Sequence, residues 1–242
     1  MSDQKRALTA GVALLERAID YALGSLRVVT PAALCRPTPC AAWNLQRLLH
    51  HLGDSLQTLH EAAAGHIRTG PELADRPAHV RSADPAVHAR TTTSPACDRA
   101  GGLPAGRGTG AAGDPPAAPA LWTRNPALVL RDSATEVLGR WIAATTADLV
   151  TIHDRHLTSP MVAAAGAIEI AAHAWDVARA CGEHHPIPPL LAEELLDLAH
   201  LFVTRADRPA QFAGPVTVPM SAPAQDHLLA HLGRHPGWPV HN

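Results

Sequence analysis

Apolar side chains recur at helical spacing along most of this chain, and no segment replaces that pattern with sustained strand alternation. Leu8, Val12, Leu15, Ile19, Ala22 and Leu26 follow steps of four and three, which place them on one stripe of a helix. Thr30-Pro31 stops that helix, because proline has no backbone N–H to donate. A second helix begins near Trp43-Asn44, with Asn44 suited to the N-cap, and buries Leu45, Leu48, Leu49, Leu52, Leu56 and Leu59. It ends between Gly65 and Gly70. Pro126 to Val150 reads as a third, with Val137, Leu138, Trp141, Ile142, Thr145 and Leu149 facing inward. Pro160 to Cys181 reads as a fourth, stopped by Gly182, and Leu190 to Val203 as a fifth. Residues 215–242 hold a short extended piece at Val216 and Val218 and a short helix near Gln225 to Leu232. A chain of 242 residues that is 46% hydrophobic can build one sizeable core. The expected class is all-α, most simply a four-helix bundle over residues 1–214 with a short C-terminal extension over 215–242.

One stretch departs from this pattern. Asp84 to Asn125 is rich in Gly, Pro, Ala and Thr and nearly empty of large apolar residues. It cannot bury enough surface to offset its ordering entropy and reads as a flexible insertion. Gly106, Gly108 and Gly110 within it are no phosphate loop, since no strand precedes them and no Gly-Lys-Ser/Thr follows. The formal net charge of -2 leaves no basic excess for a phosphate backbone, which disfavours nucleic acid as a partner. The N-terminus is charged and then amphipathic, and no apolar run reaches the ~18 residues of a membrane span, so a cytoplasmic protein is expected. The four cysteines form no tidy framework, as in a reduced protein. Cys35 and Cys40 sit at the long end of zinc-site spacing, but without a second pair they read as packing or surface cysteines.

The chemistry concentrates in helix four, GAIEIAAHAWDVARACG. Glu169 and His173 are four residues apart, which in a helix is one turn plus roughly 40° and a rise of about 6 Å. A carboxylate and an imidazole so placed can reach one metal ion from the same face. Asp176, three residues further on, could orient an imidazole by hydrogen bonding. The spacing alone fits an ordinary Glu–His hydrogen bond on a solvated face better, since such pairs are common in helices. Helix two offers the adjacent pair His50 and His51, which point about 100° apart, and spacing does not choose between them.

Two strings add a resemblance. TPCAAWNLQRLLHHLGD, from Thr38, is a Pro-Cys/Trp turn leading into a Leu-rich helix with His before Leu; AIEIAAHAWDVARACG, from Ala167, is a Glu-x-x-x-His-x-Trp-Asp helix. Together they resemble the signatures of the mycothiol-dependent maleylpyruvate isomerase and DinB-like metalloprotein superfamily, in particular its actinobacterial metal-binding branch. The tail PVTVPMSAPAQDHLLAHLGRHPGW resembles the same branch, and the likeness covers approximately residues 5 to 75 and 130 to 240. It implies a DinB-like four-helix bundle whose metal ligands fall on His51, Glu169 and His173. His51 rather than His50 matches, being eight residues after Trp43 and directly before Leu52. The implied ion is zinc, with nickel, iron or manganese as alternatives, and the implied co-substrate is a small thiol such as mycothiol. The implied activity is that of an S-transferase or isomerase acting on a small electrophile, in a monomer or homodimer. The insertion over 84–125 stands where the family has a shorter connection and reads as a lid, a disordered loop or a sequence error; the short tail, without the isomerase's further C-terminal domain, points away from maleylpyruvate isomerisation as such. A metal-binding bundle that sequesters a small molecule without catalysis is the alternative. A non-haem iron oxygenase triad of His, His and carboxylate usually sits on a β-barrel, which the helical pattern opposes.

Other polar residues read as ordinary. His227, His231 and His235 belong to a solvated surface, Gly233 and Pro236 interrupting the spacing before the third. His184 and His185 are polar loop residues, or line the mouth of a pocket. Trp43 and Trp175 pack the ends of the two ligand helices.

Overall fold

The computed structural model describes residues 3–40, 43–65, 125–144, 149–152, 155–208 and 212–239. These residues are mostly helical. Helix α1 spans Asp3–Leu26, α2 Leu45–Ala63, α3 Pro126–Ala143, α4 Ser159–Cys181, α5 Pro189–Phe202 and α6 Ala224–His231. The expected insertion lies outside the described residues, save that Asn125 at its end caps α3 by accepting from Ala127 N.

Helices α1 and α2 bury the stripes their sequences carry. Leu15 and Ile19 of α1, and Leu45, Leu48, Leu52 and Leu56 of α2, are among the most deeply buried side chains. Asn44 starts α2, its side chain accepting from Arg47 N at 3.0 Å. Helix α1 packs most extensively on α4 and also on α3, while α2 packs on α3 and α4, so the four close a circuit around one core. Small residues set the approach of these helices. Gly11 of α1 sits against the Pro160 carbonyl and the Ala163 Cβ of α4. A Cβ at Gly166 of α4 would lie 2.5 Å from Leu59 Cδ2 of α2. The space Gly166 leaves therefore holds Leu59 and brings α2 close to α4 one turn before Glu169.

Helix α4 is the centre of the fold. Between Val162 and Ala180 only Ala165, Glu169 and Arg179 keep appreciable exposure. Glu169, His173 and Asp176 interrupt its apolar run, yet by length and mean hydropathy alone α4 could cross a membrane; 83% of that window is buried inside the fold. It is a core helix, surrounded by helices rather than amphipathic. Gly182, at φ 85°, stops it in the left-handed conformation that favours glycine.

Two expectations need correction around α3. The helix ends at Ala143 rather than Val150, and its inner face is Ala127, Leu130, Ala134, Val137 and Trp141. Ile142, expected inside, is 60% exposed. Leu149 and Val150 belong instead to a hairpin, β1 (Leu149–Ile152) paired antiparallel with β2 (Arg155–Thr158). Val150, Thr151, Ile152 and Thr158 are β-branched and favour the extended backbone, but strands of four residues are too short to show as alternation.

The C-terminal residues join the same core. Helix α6 packs on α5, and Leu228, Leu229 and Leu232 are buried with the residues of α1 to α5. Val216 donates to the Ala230 carbonyl at 2.9 Å, which lays the extended piece along α6. The end of the described chain is tied to α4, where Arg179 Nε donates to the Trp238 carbonyl at 3.0 Å.

Candidate metal centre

Two neighbouring helices bring the predicted ligands together. His51 projects from α2, and Glu169 and His173 from one face of α4. Glu169 Oε1 is the meeting point: His51 Nε2 lies 2.6 Å from it, His173 Nε2 3.2 Å, and Ser55 Oγ donates to it at 3.1 Å. Ser55 is one turn beyond His51 on the same face of α2. His50 is exposed and takes no part in this cluster, so the helical register separates the two histidines as adjacent positions must.

Behind His173 lies a second layer. Its Nδ1 is 2.9 Å from Oδ2 of Asp176, a carboxylate with no exposure to solvent. Arg234 Nη2 donates to the same oxygen at 3.1 Å and lies 3.3 Å from Cys40 Sγ, which is itself 3.3 Å from Asp176 Oδ2. The expected orienting role of Asp176 therefore has its geometry. Cys40, read as a packing or surface cysteine, is a free thiol in this layer. A turn holds it there: the Thr38 hydroxyl lies 3.1 Å from the Cys40 carbonyl and 2.9 Å from that of Trp43.

The charges follow from this packing. Burial alone would raise the Glu169 carboxyl, but the imidazoles of His173 and His51 hold it well below the usual carboxylate range. Burial opposes a charge on His173, and Glu169 and Asp176 outweigh it, raising the imidazole well above its usual range. Burial would likewise raise Asp176; the Arg234 guanidinium and then His173 keep it ionised.

A cavity of about 670 Å³ opens onto the cluster. His51, Glu169 and His173 form one side, Cys40, Trp43 and Arg234 continue it, and Phe212, Ala213 and Leu232 supply an apolar wall. The Trp43 ring centroid is 4.6 Å from that of His51 and 6.1 Å from that of His173. Trp43 was expected only to pack a helix end; it lines the cavity. Trp175 does belong to the core, at 3% exposure.

The donor set can be tested against a metal ion. The ligand atoms of His51, Glu169 and His173 all lie within 4.8 Å of one another. Ligands at ~2.0–2.2 Å around a tetrahedral ion sit roughly 3.3 Å apart, which the 3.2 Å between His173 and Glu169 matches, while the 2.6 Å between His51 and Glu169 is a direct hydrogen bond that must lengthen to admit an ion. Two imidazole nitrogens and a carboxylate oxygen, open to a cavity on the remaining side, fit a divalent ion with free positions for small ligands. Cys40, His173 and Asp176 are the other group among the described residues whose ligand atoms converge this way. There the Arg234 guanidinium already donates to both the sulfur and the carboxylate, so a cation is in place and a second ion is disfavoured.

The remaining histidines separate from this site. His185 stacks on Tyr21 at 4.7 Å and 7°, with the Tyr21 hydroxyl donating to its carbonyl at 2.6 Å, so it anchors the loop after α4 to α1. His184 is exposed. His227 and His231, expected on a solvated surface, line with His200 a separate cavity of about 410 Å³ between α5 and α6.

Sequence reasoning missed Arg234 altogether. Its signal is the Gly that ends α6. Gly233 has φ 80°, its N–H donates to the Ala230 carbonyl at 3.1 Å, and Arg234 N donates to the Leu229 carbonyl at 2.8 Å. This is a Schellman closure, in which a left-handed glycine swings the next residue across the helix end. A Cβ at Gly233 would also lie 2.8 Å from Ala213 Cβ and 3.0 Å from its carbonyl oxygen. Gly233→Ala should therefore destabilise the protein by about 1–2 kcal/mol from backbone strain alone, with the contact adding to it. Denaturant unfolding of the variant measures the loss, and an unchanged midpoint would contradict the closure.

Compared with known proteins, the chain matches no family model, and no curated protein or solved structure is significantly similar to it.

Proposed function

We propose that this chain is a DinB-like four-helix bundle that holds a divalent metal ion on His51, Glu169 and His173 and uses a small thiol, such as mycothiol, to act on a small electrophile. The observation that carries the reading is the convergence of His51 and His173 on one oxygen of Glu169 at the floor of a cavity. The circuit of α1, α4, α2 and α3 supports the bundle assignment, and the two sequence signatures meet in space at this one place.

The residues would bind the ion through His51 Nε2, Glu169 Oε1 and His173 Nε2, zinc being the first candidate and nickel, iron or manganese the others. When bound, such an ion lowers the pKa of a small thiol and favours its nucleophilic thiolate form at neutral pH. The chain's own contribution is placement. Asp176 takes the Nδ1 side of His173 and leaves Nε2 facing Glu169. Trp43 and Phe212 give the cavity apolar walls that restrict water around the reacting groups. The volume suits a small molecule rather than a polymer. The reaction class is S-conjugation or thiol-assisted double-bond isomerisation.

The test is to load purified protein with zinc, measure metal content by mass spectrometry, and follow both thiol consumption and thiol-dependent isomerisation, in which the thiol is regenerated, against a panel of small electrophiles. One equivalent of metal and metal-dependent turnover by either route is the expected result. Full metal loading without turnover would favour the sequestering bundle instead, and failure to retain any divalent ion would overturn both.

A further inference from the structure

Arg234 reaches the centre from outside the helical circuit. It is 8% exposed, its Nη1 donates to the Leu232 carbonyl at 2.9 Å, and its Nη2 meets Asp176 Oδ2. Its backbone is fixed by the closure at Gly233. Both terminal nitrogens therefore have protein partners.

Asp176 connects the arginine to the ligand. Only its Oδ2 has hydrogen-bond partners; Oδ1 is buried with none. A carboxylate held through a single oxygen is free to turn about its last torsion unless its partners oppose each other. Here His173 Nδ1, Arg234 Nη2 and the Cys40 thiol approach the same oxygen from α4, from the C-terminal turn and from the turn before α2; Nη2 also lies 3.4 Å from Nδ1, but two N–H donors do not bond each other, so the carboxylate oxygen is what links them. Fixing one fixes the other, and the plane of the His173 ring is set by where Oδ2 sits. The guanidinium also compensates the carboxylate charge in a site without solvent, where an unpaired charge is costly.

We infer that Arg234 is a positioning residue for His173, acting through Asp176, so that the turn after α6 is a working part of the metal centre. The inference rests on the metal reading above and deepens it. Carboxylates and their partners behind a metal-bound histidine commonly change affinity by ~10–100-fold when removed. Arg234→Met should weaken zinc binding by about that factor, and Asp176→Asn should do the same. Because the arginine acts through the carboxylate, the double variant should bind zinc no more weakly than Asp176→Asn alone. Arg234→Lys, which restores a cation beside Asp176, should recover most of the affinity.

The experiment is a competition titration with zinc on the full chain and these four variants, with thermal unfolding as a check on folding. It is paired with proton NMR of the metal-free protein, in which the His173 Nδ1–H bonded to a carboxylate gives a far-downfield resonance. That resonance should be lost in Asp176→Asn, lost or clearly displaced in Arg234→Met, and kept in Arg234→Lys. Independent, additive losses in the double variant would overturn the proposal, as would an unchanged affinity and resonance in Arg234→Met. If Arg234→Met does not fold, Arg234→Gln is read against the same outcomes. If the wild type binds no zinc, the metal reading fails by itself, and the resonance still decides whether Arg234 positions His173.

Discussion

Replacing Glu169 by Gln, or His173 by Ala, should remove most of the metal affinity while leaving the protein folded. Each change deletes one of three donors. Loss of partners behind a ligand already costs ~10–100-fold, so loss of a ligand itself should exceed that. Glu169 brings the charge of the set: it is held ionised between two imidazoles, and Gln keeps its shape without the charge. His173→Ala leaves Asp176 and Arg234 still paired, so no buried charge is stranded. The fold should survive because its core rests on the leucine stripes of α1 and α2 and on the alanine-rich body of α4. Metal content by mass spectrometry and thermal unfolding measure the two halves of this expectation. Thiol consumption should fall with the metal, and undiminished thiol-dependent turnover in a metal-free Glu169→Gln/His173→Ala double variant would end the catalytic-metal reading. Acid should release the ion as well, since a proton competes for the same lone pair on His173 Nε2. Burial works against that proton, but Glu169 and Asp176 more than offset it and raise the imidazole well above its usual range. The same two carboxylates that would favour the ion thus also favour the competing proton once the site is metal-free, and zinc content should fall as the pH is lowered.

Much of this arrangement was legible because helical periodicity is local information. The stripes of α1 and α2, the cap at Asn44 and the stop at Gly182 each follow from a few adjacent residues. The i,i+4 spacing of Glu169 and His173 is equally local, and Asp176 one turn further is its extension. What periodicity could not give is long-range. That Cys40 lies beside Asp176 depends on how the Thr38 turn is seated at the start of α2, 136 residues away in the chain. Arg234 is visible only through the turn at Gly233, and the sequence pattern there, helix then Gly then Arg, states that the chain reverses without stating toward what. The start of β1 reads as the end of α3 because apolar residues at Leu149 and Val150 happen to continue its spacing. Trp43 shows the same limit: a tryptophan before a helix reads as packing until the histidine it faces is known.

The choice between adjacent histidines gives the sharpest single comparison. His51→Ala should lose zinc affinity by at least ~100-fold, by the same reasoning applied to Glu169 and His173. His50→Ala should bind zinc within a factor of two of wild type, about 0.4 kcal/mol at most. The two positions differ only in direction. A step of about 100° around α2 carries His51 to within 2.6 Å of Glu169 and leaves His50 exposed. His51 is itself 37% exposed along its side chain, so neither substitution empties a deep core position and both variants should fold. That makes the pair a clean reading of register, since any general effect of removing an imidazole from α2 appears in both. His51→Ala also takes away the ring that Trp43 faces at 4.6 Å and so removes part of one cavity wall, widening it where the cluster opens. Titration of zinc into the two metal-free variants, side by side with wild type, is the measurement. Loss of affinity in His50→Ala with retention in His51→Ala would place the ligand on the other face of α2 and would break the triad as built here.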